Sequence, residues 1–155
     1  FCTMRKYIYA VILLFVSTIN LTSSCQRISN SNDITIVADS FATNFYNWRL
    51  EKALKYCTAE SKTQISFLAS NISEKDIELI NQRNEDASIE ITNTGMLEEG
   101  IKARISMKIY NSFKMKDINS DIQLNKERDV SINLIKTNEG WKVDLTTLKE
   151  SPTKE

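Results

Sequence analysis

Apolar and polar residues alternate in two runs near the end of the chain. Val130, Ile132 and Leu134 alternate with Ser131, Asn133 and Ile135, and Trp141, Val143 and Leu145 alternate with Lys142 and Asp144. That period of two marks half-buried strands. Between the runs lies Thr137-Asn138-Glu139-Gly140, a turn cluster ending in the residue that best tolerates positive φ. A four-residue loop sets Leu134 opposite Val143 and Ile132 opposite Leu145, with both apolar rows on one face. A three-residue loop would set Leu134 against Asp144, so the pattern selects the longer loop.

A second hairpin precedes this one. Ile89 and Ile91 alternate with Glu90 and Thr92, and Glu98-Glu99-Gly100 reads as a turn with Gly100 in the left-handed region. This pairs Leu97 with Ile101, Ile91 with Met107 and Ile89 with Ile109. The inward row of the long second strand is then Ile101, Ala103, Ile105, Met107 and Ile109, extended by Phe113 and Met115. The opposite face is basic, with Lys102, Arg104, Lys108, Lys114 and Lys116, and can meet Glu90, Asp129 and Asp144 across the strands.

Before Ala87 the period is helical. Asn32 or Asp33 can cap a helix that starts near Ile34 and carries Val37, Phe41, Phe45 and Trp48 on one stripe. A bend at Asn47 to Arg49 leads to a second helix, Leu50 to Cys57, with Leu50, Ala53, Leu54 and Cys57 inward. Thr58 caps a third, from Ala59 to about Ser70, whose inward set is Ile65, Leu68, Ala69 and Ile72. Ser73-Glu74-Lys75-Asp76 reads as a capping box with Asp in place of Glu, opening a brief helix through Ile77 and Ile80. Helices first and an antiparallel sheet of at least four strands second is α+β order.

The amino terminus has another character. Met4-Arg5-Lys6 begins a basic segment, Tyr7 to Ile19 is apolar, and Thr22-Ser23-Ser24 leads directly to Cys25. This is the layout of an export signal, with Phe1-Cys2-Thr3 read as untranslated. Leu21-Thr22-Ser23-Ser24-Cys25 resembles the lipobox of bacterial lipoproteins, with Thr22 in the usual leucine place as in the looser Bacteroides type. The resemblance implies a lipid on the Cys25 thiol, cleavage before it and a stable membrane anchor. The expected organisation is a signal peptide over 1–24, a lipidated tether over 25–33, one α+β domain over 34–149 and a frayed tail over 150–155. No acidic run follows Cys25. Such a run resembles the surface-export signal of these lipoproteins, so a periplasm-facing protein is expected.

Removing 24 of the 155 residues leaves 131, enough for one core, and leaves 18 basic residues against 20 acids. Nothing in that balance points to nucleic acid. Cys57 is left without a disulfide partner and reads as a small buried hydrophobe.

The wider pattern also carries a resemblance. A Phe/Tyr-rich opening helix, Glu51-Lys52-Ala53-Leu54-Lys55-Tyr56, Thr58-Ala59-Glu60-Ser61 and the closing Glu139-Gly140-Trp141-Lys142-Val143-Asp144 are similar to small bacterial lipoproteins of the nuclear-transport-factor-2-like superfamily. That superfamily implies a cone in which a curved sheet wraps a long helix. The usual Gly-Asp before its second helix is replaced here by Asn47-Trp48-Arg49.

The chain contains no histidine, which removes the commonest general base and metal ligand. Its three glycines, at 95, 100 and 140, cannot form a phosphate-cradling loop. Some enzymes of the superfamily work with carboxylates and tyrosines in the cone, for which Asp39, Tyr46, Tyr56 and Tyr110 are the candidates here. Phe41, Phe45, Trp48, Tyr46, Tyr56 and Trp141 either line a cavity or simply form core. The expectation is a non-catalytic, cofactor-free, monomeric binding or scaffolding domain for an envelope protein, or else a carrier of a small apolar ligand.

Overall fold

The computed structural model describes the backbone of residues 26–115 and 122–150 and the side chains of 33–114 and 122–146. Residues from Asp33 onward form one compact unit. Among the described residues four helices come first: α1 (Gln26–Tyr46), α2 (Leu50–Ala53, continued by a 3-10 turn at Leu54–Tyr56), α3 (Ala59–Ser70) and α4 (Glu74–Asn81). Four strands follow: β1 (Ser88–Glu98), β2 (Lys102–Met115), β3 (Ile122–Thr137) and β4 (Gly140–Glu150). They form one antiparallel sheet in the order β1-β2-β3-β4. The class is α+β, with helices packed on one face of a four-stranded antiparallel sheet.

The core lies between α1 and the inner rows of β2, β3 and β4. Ala103, Ile105, Met107, Ile109, Val130, Ile132, Leu134, Trp141, Val143 and Leu145 are all buried, as their alternation predicts. Glu90, Lys102, Arg104, Asp129 and Lys142 lie on the opposite, solvated side. There Lys108 pairs with Glu127 at 2.7 Å, Lys102 with Glu98 at 3.7 Å, and Arg104 Nε donates to Asn133 at 3.0 Å. Lys102, Arg104 and Lys108 are thus partnered surface charges, whereas Lys114 lies beside Phe45 and Trp48 and Lys116 lies outside the described residues.

Helix α1 departs from expectation in two ways. It begins at Gln26 rather than near Ile34, since residues 26–33 contain no Pro or Gly to stop it. Its most buried stripe is Ile34, Ala38, Phe41, Ala42 and Tyr46, while Val37 and Phe45 flank it half-buried. Two fully buried alanines, Ala38 and Ala42, sit at the centre of the stripe, which a ranking by hydrophobicity alone overlooks.

The predicted register holds at Ile91–Met107, Ile89–Ile109 and Leu134–Val143. Two expected pairs are corrected. Leu97 does not face Ile101. Ile101 N–H donates to the Glu98 carbonyl at 3.1 Å, with Gly100 at φ 70° between them, so the hairpin closes on Glu98 and Lys102. Register shifts at Ile91/Asn93 and Met96/Glu98 absorb the difference, and bulges of this kind bend a strand. Ile101 is therefore exposed rather than inward.

Ile132 does not pair with Leu145 in the ladder either, although both are buried. The Asp144 carboxylate accepts from Thr146 N–H at 3.0 Å, and the Leu145 N–H is taken by Ser61 Oγ at 2.8 Å. The closing loop is also tighter than predicted, since pairing continues to Thr137–Gly140, but the register is the same.

Thr58 caps α3 as expected, and the Ser73–Asp76 capping box is complete. Ala69, expected inward, is exposed; the inner face of α3 carries Ile65 as expected, together with Ser61. The backbone at Cys57 and Thr58 lies along β4, with Thr58 N–H donating to the Val143 carbonyl at 3.0 Å, which covers part of that sheet edge. Cys57 is buried, and burial pushes its thiol up to about 12, so it stays protonated as a small core residue.

Asp76 is buried at 3% exposure and also accepts from Ile122 N–H at 3.3 Å, tying α4 to the start of β3. The Ser73 backbone N–H, ahead of the opposing effect of burial, holds its carboxyl below the ordinary value of 3.8. A carboxyl lowered on folding adds stability above its unfolded pKa, and that stability fades as pH falls through the folded value. Acid titration of stability should therefore lose a component below the ordinary value of 3.8 that Asp76→Asn lacks. Identical acid limbs in the two proteins would show that Asp76 is not linked to folding.

Candidate functional site

The sequence-predicted lining residues do not surround one cavity. Phe41 is fully buried, stacked on Phe45 with ring centroids 5.2 Å apart. Tyr56 and Trp141 border a cleft of about 320 Å³ beside the closing hairpin, where Lys136 Nζ lies 5.4 Å from the Trp141 ring centroid. Phe45, Tyr46 and Trp48 border a separate cleft of about 140 Å³, between the end of α1 and the end of β2. The polar candidates are scattered too. Asp39 is exposed on α1, and Tyr110 donates to Glu90 at 2.9 Å on the outer face, a bond that raises its pKa.

The end of the sheet near Phe113 is where chemically distinct groups converge. Phe113 lines both the 140 Å³ cleft and a neighbouring one of about 410 Å³ bordered by Leu79, Arg83, Asn111 and Leu124. A volume of that size lies in the usual range for small-molecule sites, roughly 300–1,000 Å³. The Arg83 guanidinium carbon lies 5.7 Å from the Phe113 ring centroid. That of Arg128 lies 4.6 Å from the Tyr46 ring centroid, and its Nη2 donates to the Phe113 carbonyl at 3.3 Å. Ring faces carry partial negative charge and stabilise such cations out of water. Arg128 faces Ile109 across the ladder on the core side of β3 and is 6% exposed.

The turn that follows α1 builds one wall. Arg49 N–H reaches the Asn44 carbonyl at 2.8 Å and Trp48 N–H the Phe45 carbonyl at 3.0 Å, the paired bonds of a Schellman ending. That motif needs a left-handed residue at the position held by Trp48, and Trp48 has φ 59°. For a bulky residue this is an outlier costing about 1–3 kcal/mol. It is also the bend where the superfamily resemblance leads one to expect glycine.

Asn47, just before it, is buried and clamps the start of β1. Its Oδ1 accepts from Ala87 N–H at 2.8 Å and Arg83 Nη2 at 2.6 Å, and its Nδ2 donates to the Ala87 and Thr43 carbonyls at 3.1 and 2.8 Å. Asp86 completes the cluster, at 2.7 Å from both Arg49 and Arg83. Among the described residues the other non-glycine one with positive φ, Asn111 at 52°, borders the larger cleft and donates to Glu85 at 3.3 Å.

Arg128, Arg83, Asn47 and Asn111 are absent from the sequence-based candidates. For Arg128 a signal existed: extending the Val130–Leu134 alternation backwards by one step puts it inward. No linear signal links Asn47 to Ala87 or Arg83. Among the described residues no cluster of His, Cys, Asp and Glu could hold a metal ion, and no helix is long and apolar enough to cross a membrane.

No family profile and no curated protein matches the chain. A solved structure from Novosphingobium aromaticivorans, described as a "putative aromatic ring hydroxylase", is similar over 83% of this chain and 96% of its own, at 13% identity and a TM-score of 0.49.

Proposed function

We propose that this chain is a binding domain of the cone-shaped, nuclear-transport-factor-2-like kind, held at a bacterial membrane by a lipid on Cys25 and facing the periplasm. It works without catalysis, as a monomer, and engages an envelope partner or a small molecule at the Phe113 end of its sheet. One observation carries the choice of site. Both non-glycine residues with positive φ among the described ones, Trp48 and Asn111, wall the clefts that share Phe113. Strain of this kind persists where the surrounding structure enforces it, and it concentrates at binding sites.

Binding is favoured over catalysis because the candidate acid–base groups are scattered and the chain has no histidine. A monomer is favoured because the outer sheet face carries charges that a stable interface would have to desolvate. Native mass spectrometry of the protein from its own host membranes tests the reading. A retained protein or small molecule on a single copy of the chain is expected; a bare chain or a homodimer overturns it.

Cys25 lies outside the described residues, and its assignment rests on the apolar segment and small residues before it. Cys25→Ser should abolish incorporation of labelled fatty acid and release the protein from membranes. Unchanged labelling and retention in that variant would remove the anchor.

A further inference from the structure

We infer that the end of the domain where its two hairpins turn is a foot that seats apolar side chains in the bilayer surface, an inference that rests on the lipid-anchored reading and orients the domain under it. In the meander β1-β2-β3-β4 the β1–β2 and β3–β4 turns fall at the same end of the sheet. They are tied together there, since Lys136 N–H donates to the Ile101 carbonyl at 2.8 Å. Ile101 stands exposed, with Met96 and Leu97 in the same hairpin. So does Ile36 on α1, which borders the cleft of Gly140 and Trp141. The exposures of these four run from 47% to 61%. The other large apolar side chains exposed among the described residues, Phe67, Ile77 and Leu124, lie apart on α3, α4 and the opposite end of β3. Apolar surface concentrated in this way marks contact with a protein or a membrane.

The point where the chain enters the domain decides between the two. Asp33, the first residue of the compact unit, borders the same cleft as Ile36. From Cys25 to Asp33 the chain reaches at most about 30 Å even when fully extended. A domain of this length is about 35 Å across, so the tether is too short to let it stand on its opposite end. A lipid on Cys25 therefore holds the turn end against the bilayer. The charges at the turns are of both signs, Glu98 and Glu99 against Lys102 and Lys136, with Lys102 on Glu98 at 3.7 Å. The seat is thus apolar rather than electrostatic. Apolar groups at such a surface sink about 5–10 Å into the boundary between headgroups and acyl chains. Phe113 lies roughly 35 Å along β2 from that end at the ordinary strand rise, so its clefts face away from the membrane.

Fluorescence quenching tests this on full-length protein expressed in its own host and reconstituted into phosphatidylethanolamine–phosphatidylglycerol vesicles carrying an acyl-chain nitroxide lipid. In the anchored protein processing removes Cys2, the lipid blocks Cys25, and Cys57 is buried and protonated, so a fluorophore reports on one introduced cysteine. Emission from Ile36→Cys or Leu97→Cys should be quenched at least about twofold more than from Leu124→Cys, as insertion of that depth requires. The difference should survive high salt. Adding Leu97→Asp and Ile101→Asp to the Ile36→Cys protein should abolish it, at positions too exposed to disturb folding. Equal quenching at Ile36, Leu97 and Leu124 in a protein that incorporates labelled fatty acid overturns the foot and leaves the anchor standing. A chain that incorporates no fatty acid overturns the anchor and the foot with it. Cross-linking from Leu97→Cys to a protein in host cells, without lipid quenching, assigns the face to a protein and overturns the inference as well.

Discussion

Trp141→Ala is expected to destabilise the domain by about 3–5 kcal/mol, the range for removing a large buried aromatic. Trp141 is 4% exposed and follows the tight turn between β3 and β4, in the same inward row as Val143 and Leu145. Its removal opens a void where the closing hairpin meets the rest of the core, and the register across Leu134–Val143 limits how far the backbone can collapse into it. Stabilities of domains this size are about 5–15 kcal/mol, so the loss should appear as a large drop in urea midpoint.

Trp141→Phe is the informative companion. The indole Nε1 is buried without a hydrogen-bond partner, so the phenyl ring forfeits volume but no bond. It should cost clearly less than Trp141→Ala. An unchanged midpoint in Trp141→Ala would show instead that the indole contributes to a surface cleft and not to the core.

Asn47→Ala should be the next largest effect, on the order of 2–4 kcal/mol. The side chain of Asn47 uses both its acceptor and its donor on fixed partners: Ala87 N–H and carbonyl, the Thr43 carbonyl and Arg83 Nη2. Truncation leaves the Ala87 groups buried without those bonds, and it removes one acceptor from a guanidinium whose side chain is only 9% exposed. Leaving polar partners buried and unpaired costs more than the net worth of the bonds themselves.

Arg49→Ala gives the contrast. Its pairing with Asp86 is between side chains 45% and 59% exposed, and solvent-screened pairs of that kind contribute about 0–1 kcal/mol. Chemical denaturation of the two variants side by side should separate them clearly. If Asn47→Ala costs no more than Arg49→Ala, water replaces the amide and the clamp between α1 and β1 is not structural.

Much of the architecture could be read along the chain because it depends on local periodicity. The alternation from Val130 to Leu145, the turn residues Gly100 and Gly140, the Thr58 cap and the Ser73–Asp76 capping box each encode their structure within a few residues. A strand register with one greasy face follows from the same arithmetic, since a slip of one residue would turn every apolar side chain outward. Those features determine an α+β layout and the inner face of its sheet.

The tertiary structure decided what depends on distance across the fold. Ser61 takes the Leu145 N–H and breaks the ladder where the alternation predicts a further pair. Ala38 and Ala42 lie fully buried at the centre of the α1 stripe. Asn47 meets Ala87 forty positions along the chain. Trp48 adopts a glycine-like backbone, and the guanidinium of Arg128, inward already by the strand alternation, meets the Tyr46 ring. The candidate site consists almost wholly of such residues. Hydrogen bonds and ring contacts between remote segments leave no periodic trace, and a polar side chain reads as surface until the fold shows which groups surround it.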